Sequence, residues 1–113
     1  MKRFPSIKKN DDFKTVYTKG NSHANSLLVM YILKTNSTEN RIGISASKKI
    51  GNSVIRHRMA RLVRESFRLN NEKLIQGYDI VVVVRNSAVQ CGYDSICEAY
   101  MNLCKRHGML ASA

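Results

Sequence analysis

The chain has 113 residues, of which 43% are hydrophobic, and its 19 Lys and Arg outnumber 8 Asp and Glu, giving a formal net charge of +11. This composition excludes a disordered or fibrous chain and suits a single domain over residues 1–113. The strong positive charge favours a polyanionic partner, either a nucleic acid or an anionic membrane surface.

Two segments argue against the membrane surface. The N-terminal sequence "MKRFPSIKKNDDF" has neither an apolar run nor the cleavage signature of a secretory signal. The longest apolar run, "LLVMYIL" at residues 27–33, is far too short to span a bilayer. We therefore expect a cytoplasmic protein without membrane contact.

The cysteines and histidines predict no metal site. Cys91, Cys97 and Cys104 form an odd set without a CxxC pair, which fits neither a disulfide framework nor a zinc site. Cys97 and Cys104 are seven residues apart and would lie on one helix face, where we interpret them as small buried thiols. The three histidines are scattered in the sequence and suggest no ligand cluster unless the fold brings them together. We expect the protein alone to bind no cofactor.

The first predicted element is a helix in "NDDFKTVYTKG". Asn10 is a candidate N-cap, two aspartates follow in the first turn, and Gly20 is placed to end the helix. Phe13, Val16 and Tyr17 share one face, since their spacings are three and four residues.

Two apolar stretches separated by a polar turn follow in "SLLVMYILKTNSTENRIGISAS". This pattern predicts a hairpin of two strands, near residues 27–34 and 41–47. Because side chains alternate along a strand, Val29 and Tyr31 are expected on one side of the first strand.

The remaining elements are a helix near residues 53–69, a strand in "GYDIVVVVRNS" and a final helix in "YDSICEAYMNLCKRHG" with Asp94 as a candidate cap. The continuous Val and Ile run predicts a central strand that is covered on both faces. The order helix, strand, strand, helix, strand, helix, with short strands possible in between, predicts an α+β fold in which helices cover a small mixed sheet.

The stretch "KKIGNSVIRHRMARLVRESFR", residues 48–68, concentrates positive charge on one helix face. At about 100° per residue, the apolar side chains gather opposite the basic ones. The basic side comprises His57, Arg61, Arg64 and Arg68, with Arg56 and Arg58 flanking. Solvated helix faces normally mix signs, whereas Glu65 is the only acid in this stretch. The pattern therefore favours nucleic acid over a merely solvated face.

A turn precedes this helix. Gly51 and Asn52 both tolerate turn conformations, so the chain can bring Lys48 and Lys49, with the free amides of a helix N-terminus, beside the arginines. Arginine offers phosphate oxygens planar, bidentate contacts. These residues alone leave the choice between RNA and DNA open.

The segment "SKKIGNSVIRHRMARLVRESF" resembles the signature of the bacterial ribonuclease P protein component family. That signature runs Ser-Lys-Lys, Gly-Asn-Ala-Val, and an Arg-Asn-Arg core followed by a basic pair and a further Arg. Two positions depart from it: His57 occupies the middle of the core, and Ala60 stands where a basic residue usually precedes Arg61. The resemblance extends more loosely from Phe4 to Lys105.

The resemblance implies the fold and the role of the protein. The fold would be a two-layer, ribosomal-protein-type α/β sandwich with a left-handed βαβ crossover. The protein would assist an endoribonuclease whose RNA component removes the 5′ leader of precursor tRNA, with Mg²⁺ bound mainly by that RNA. Its partners would be ribonuclease P RNA and precursor tRNA, with a monomeric protein in a one-protein, one-RNA complex.

The resemblance also implies two sets of site residues. The set against the catalytic RNA would be Lys48, Lys49, Asn52, Arg56, His57, Arg58, Arg61, Arg64 and Arg68. The set against the single-stranded leader would be Phe13, Tyr17, Val29 and Tyr31, in a cleft between the first helix and the sheet. Spacing alone would favour the protein core for these last four residues.

Two other functions remain open at this stage. A non-enzymatic RNA- or DNA-binding module, such as a ribosome-associated protein, would share the basic helix but would not stimulate tRNA processing. A self-contained nuclease is disfavoured, because the aspartates do not show the spacing of a two-metal site and no catalytic residue is predicted in the protein.

Overall fold

Three α-helices and four β-strands make up the computed structural model, which describes residues 5–111. In chain order they are α1 (Asn10–Lys19), β1 (Asn21–Ala24), β2 (Leu28–Lys34), β3 (Arg41–Ser45), α2 (Ser53–Asn70), β4 (Tyr78–Val84) and α3 (Tyr93–Arg106). The fold is α+β, as the sequence predicts, and none of the helices it describes has the length and apolarity to cross a membrane.

The strands form one mixed sheet in the order β1-β2-β4-β3. β2 pairs antiparallel with both β1 and β4, whereas β3 runs parallel to β4. The central, doubly covered position predicted for the Val-rich strand is confirmed, since five of the seven residues of β4 are buried and they lie on both of its faces. The short strand β1 was not predicted, because "NSHA" lacks a β-branched or aromatic side chain.

The predicted hairpin between the second and third strands is wrong, because β4 lies between them. A buried asparagine in the connecting turn explains the arrangement. Asn40 donates from Nδ2 to the carbonyl of Ile75 at 2.9 Å, and its Oδ1 accepts from the amide of Tyr78 at 2.9 Å. The turn is therefore tied to the start of β4, which can then insert between β2 and β3.

The larger core lies between one face of the sheet and the pair α2 and α3. Met59, Val63 and Phe67 of α2 are fully buried, together with Ile96 and Leu103 of α3. These side chains follow the three- and four-residue spacing of an amphipathic helix, which is why the sequence pattern located them. Of the three free cysteines, Cys104 is buried as expected, while Cys91 and Cys97 are only half-buried.

The opposite face of the sheet is covered in part by α1, which forms a second, smaller cluster. Ile7, Val16 and Val81 are buried there, with Phe13 and Tyr31 packed at the edge. The two-layer description therefore fits α2, α3 and the sheet, and α1 adds a partial layer on the other side. This placement puts the aromatic residues of α1 and the arginines of α2 on different faces of the sheet.

The ends of the helices differ partly from the predictions. Asn10 is the first residue of α1 rather than its cap, and Lys9 in the cap position makes no side-chain capping bond. Asp94 likewise lies in the first turn of α3, after Gly92. Both carboxyl-rich turns still place negative charge at a helix N-terminus, where the helix dipole favours it.

Candidate nucleic-acid interface

The basic surface begins in the loop that joins β3 to α2. Residues Lys48–Ile50 form a short 3₁₀ turn, and Gly51 follows with φ of +152°. A Cβ at Gly51 would lie 2.8 Å from Cδ1 of Ile55, so only glycine fits there. Asn52 then caps α2, its Oδ1 accepting from the amide of Ile55 at 3.1 Å. The exposed Lys48 therefore lies close to the N-terminus of α2.

The outer face of α2 is exposed and strongly cationic. His57, Arg61, Arg64 and Arg68 are all exposed, as the helical spacing predicts. Arg68 binds Glu65 with its Nη2 2.8 Å from Oε2, and this guanidinium lowers the pKa of the carboxyl. Within residues 5–111, Arg61 and Arg64 make neither a hydrogen bond nor an ion pair. The single acid of the helix is thus already paired, and two guanidinium groups remain available for an anion.

The two flanking arginines are less free than the sequence suggests. Arg58 donates to the carbonyl oxygens of Val89 at 3.3 Å and Cys91 at 3.0 Å, which fixes it to the segment before α3. Arg56 is half-buried, and its Nε lacks a hydrogen-bond partner within the described chain. Contacts of either residue with RNA stay predictions, but Arg58 also holds α2 against the start of α3.

Three of the four predicted leader-contacting residues, Phe13, Tyr17 and Tyr31, form an aromatic cluster on the other face of the sheet, and Val29 lies on that same face. The rings of Phe13 and Tyr17 have centroids 6.3 Å apart, and Tyr17 meets Tyr31 edge to face at 4.9 Å. Tyr17 is 38% exposed, and Phe13, Tyr31 and Val29 are half-buried. Because none of the four is fully buried, this surface can offer ring faces to a ligand as well as packing against the sheet.

The register of the sheet brings the two surfaces to a common edge. Ser45 pairs with Val83, and Val83 pairs with Val29, so these three residues lie side by side on the face that carries α1. The chain leaves β3 at Ser45 and reaches Lys48 three residues later. The basic loop therefore starts at the end of the sheet where Val29 lies.

A polar network that sequence reasoning missed holds α1 in place. Arg41 of β3 makes a bidentate contact with the buried Asp79, at 2.8 and 2.6 Å, and lies 3.6 Å from Asp12 of α1. The hydrogen bond with Asp79 raises the pKa of Arg41. The only signal in the sequence was Asp79, a single acid at the start of a Val-rich strand. Its partner Arg41 lies 38 residues away in the sequence, so the pairing could not be predicted.

Metal-ligating side chains do not cluster in the part of the chain that the structure describes. No group of three or more His, Cys, Asp or Glu side chains able to hold a metal ion occurs within residues 5–111. His23 and His107 do come together, with ring centroids 4.5 Å apart, but Nε2 of His107 already donates to the carbonyl of Met30.

This fold and this surface define a small basic α+β protein with one cationic helix and one aromatic platform. A family model described as Ribonuclease P matches residues 1–108. The chain belongs to the bacterial ribonuclease P protein component family.

Individual relatives agree over nearly the full length. The ribonuclease P protein component of Alkaliphilus oremlandii is 49% identical over 113 residues, covering 100% of this chain and 99% of the relative. That of Lachnoclostridium phytofermentans is 47% identical, covering 96% and 93%. The structure of the Staphylococcus aureus RNase P protein superposes with a TM-score of 0.88 at 33% identity, covering 96% of this chain and 100% of that one. The Thermotoga maritima protein gives 0.83 at 29% identity, with coverages of 91% and 97%.

Proposed function

We propose that this chain is the protein subunit of ribonuclease P, an endoribonuclease of tRNA processing, and that it binds both the catalytic RNA and the 5′ leader of precursor tRNA. α2 and the loop before it bind the RNA, while α1 and β2 hold the leader. The observation that carries this assignment is the face of α2, where the one acid is paired with Arg68 and, within residues 5–111, Arg61 and Arg64 have no hydrogen-bond or ion-pair partner. A solvated structural helix would balance these charges.

The chemistry of this chain is binding and positioning. Arg61 and Arg64 neutralise phosphates of the folded RNA, which reduces the repulsion between two polyanions. The aromatic platform accepts unpaired bases of the leader, because every base offers a π-face for stacking. The hydrolysis, and the Mg²⁺ it requires, belong to the RNA, and the described residues offer no donor cluster for that ion.

Three further properties belong to the same proposal. The whole of residues 1–113 acts as one RNA-binding domain, the protein is a monomer that pairs with one RNA, and it works in the cytoplasm. The family resemblance also supports a left-handed crossover from β3 through α2 to β4.

The deciding experiment is precursor-tRNA cleavage by a bacterial ribonuclease P RNA at low Mg²⁺, with and without this protein. Repulsion between the two RNAs is least screened under these conditions, so a protein subunit has its largest effect there. We expect strong stimulation at the mature 5′ junction. Tight RNA binding without stimulation would instead indicate a non-enzymatic RNA-binding module, and correct cleavage without any RNA component would indicate a nuclease.

A further inference from the structure

A groove between α2 and the start of α3 shares Arg58 and Arg61 with the cationic face of α2, but its apolar and aromatic walls are part of neither surface described above. It has a volume of about 490 Å³, within the range of roughly 300 to 1,000 Å³ that small-ligand sites occupy. It is open to solvent and is lined by Arg58, Arg61, Leu62, Glu65, Leu69 and Tyr93. The α2 residues of this set recur at three- and four-residue spacing, so the groove runs along the side of the cationic face.

The walls of the groove are apolar and aromatic. Leu69 of α2 is 49% exposed although it is apolar, and Leu62 beside it is half-buried. The hydroxyl of Tyr93 lies 3.5 Å from Sγ of Cys97, and Asn70 donates to the same sulfur at 3.4 Å. This chain of contacts fixes the orientation of the Tyr93 ring, so the aromatic wall is already in place without a ligand.

The rim of the groove is cationic. Arg58 is held by the carbonyls of Val89 and Cys91, while Arg61 is exposed and makes no hydrogen bond or ion pair within residues 5–111. Glu65 is engaged by Arg68. The contact with Cys97 and burial raise the pKa of Tyr93 to about 12. A phenol is neutral at physiological pH with this pKa or with its ordinary one, so Tyr93 does not repel an anion.

We propose that this groove binds one unstacked nucleotide of the RNA that α2 contacts, with the base against Tyr93 and Leu69 and its phosphate at Arg61. The apolar and aromatic walls match the base of a nucleotide, and the cationic rim matches its phosphate. Bases inside a duplex cannot reach such a site, whereas bulged or looped bases can be splayed out and stacked on aromatic side chains. This inference rests on the proposed function, because it specifies what the RNA presents to α2.

The test measures the affinity of ribonuclease P RNA for three groove variants over a range of salt concentrations. Tyr93→Leu removes the ring but keeps apolar bulk, and it should weaken binding about fivefold or more, the effect of losing one base stack. Because no phosphate contact is lost, the slope of log K against log [salt] should stay unchanged. Arg61→Ala should lower that slope by about 0.9. Leu69→Ala, at an exposed position, should also weaken binding even if Tyr93→Leu folds poorly.

Two controls separate the groove from general effects. Tyr93→Phe keeps the ring and should retain most of the affinity that Tyr93→Leu loses. Lys105→Ala removes an exposed charge of α3 outside both surfaces and should match the wild type. Chemical probing of the bound RNA should show one unpaired nucleotide that the wild type protects and that Tyr93→Leu leaves reactive.

Three outcomes would overturn the inference. The first is that folded Tyr93→Leu and Leu69→Ala both bind the RNA with wild-type affinity and stimulate cleavage normally. This result would reject nucleotide binding in the groove and leave the proposed function intact. Failure of the wild type to bind ribonuclease P RNA would reject both. If the protein dimerises without RNA and Leu69→Ala abolishes that dimerisation, the groove would instead bind a second copy of this chain.

Discussion

His107 lies where α3 ends, with its ring half-buried against His23 of β1. Its Nε2 donates to the carbonyl of Met30 at 2.9 Å, and Arg106 lies beside it. Burial lowers the pKa of His107, and the neighbouring charges of His23 and Arg106 add to that effect although the bond to Met30 opposes it. The neutral imidazole is therefore the form that the fold accommodates.

This environment predicts a loss of stability in mild acid. In the unfolded chain a histidine titrates near pH 6.5. Because the pKa of His107 is lower in the folded protein, the unfolded state binds the proton more readily just below that pH, and the free energy of unfolding falls as pH decreases. Thermal unfolding between pH 7.5 and 5.5 should show a smaller decrease for His107→Gln, whose amide can keep the bond to Met30.

The exposed His57 on α2 provides the matched control for this measurement. His57→Gln should keep the pH dependence of the wild type, because its side chain lies on the outer face of the helix. Identical pH dependence in all three proteins would show that His107 does not couple folding to protonation.

Individual arginines show what local sequence can and cannot predict. Helical periodicity placed Arg61 and Arg64 on the outer face of α2, and they are exposed there. The same periodicity placed Arg58 at the flank of that face, but it gave no sign of the hydrogen-bond acceptors of Arg58, which lie more than 30 residues further along the chain. Contacts with residues distant in sequence leave no periodic signal, so the role of Arg58 in packing could not be predicted from the sequence.

At the scale of elements, the position of α1 depends on one glycine of β3. The ring of Phe13 lies over Gly43, and a Cβ there would be 2.9 Å from two atoms of the ring and 3.1 Å from Cβ of Ile7. β3 thus provides a flat site for the helix that carries Tyr17. This close approach explains why a residue of poor strand propensity lies inside β3.

Gly43→Ala should therefore displace α1 and weaken the aromatic platform. The added methyl group forces Phe13 to move, and we expect a loss of about 1–3 kcal/mol in the free energy of unfolding, as for other overpacked sites. Chemical denaturation measures this loss, and affinity for leader-bearing precursor should fall more than affinity for the catalytic RNA. Gly92→Ala is the control, since nothing lies within 4 Å of a Cβ at that position. Equal stability of the two variants would contradict the packing argument.

The strands illustrate why pairing is harder to predict than element type. Alternation and apolar runs located β2, β3 and β4 within a few residues, because these signals are local. Sequence proximity then suggested a hairpin, whereas β4 lies between β2 and β3 and Asn40 ties the turn that joins them to the start of β4. The short β1 contributed no signal of its own, because its pairing with β2 is what makes it a strand.

At the scale of the whole molecule, the cationic and aromatic surfaces lie on opposite faces of one sheet. α2 packs on the face that holds the larger core, and α1 packs on the other. The two surfaces approach each other near the end of β3, where Ser45 lies beside Val83. Under the proposed function, this separation would let α2 bind one RNA while α1 holds a second strand.

Substitutions on the two surfaces should therefore have separable effects. Arg64→Ala removes one phosphate contact, so it should weaken binding of the catalytic RNA and lower the salt slope by about 0.9. Tyr17→Ala removes one stacking ring, worth roughly 1–3 kcal/mol, and should weaken binding of precursor with a leader but not of mature tRNA. Comparison of holoenzyme affinities for the two tRNAs checks this, with Tyr17→Phe as the control that keeps the ring. Equal effects of both substitutions on both affinities would contradict two independent surfaces.

The order of strands also has a consequence for synthesis on the ribosome. β2 and β3 share no hydrogen bonds with each other and are joined only through β4, which follows α2 in the chain. The nascent chain therefore cannot close its sheet until residues 78–84 have emerged from the exit tunnel. Until then β2 can pair only with β1, and β3 has no neighbouring strand, so the sheet is completed late in synthesis.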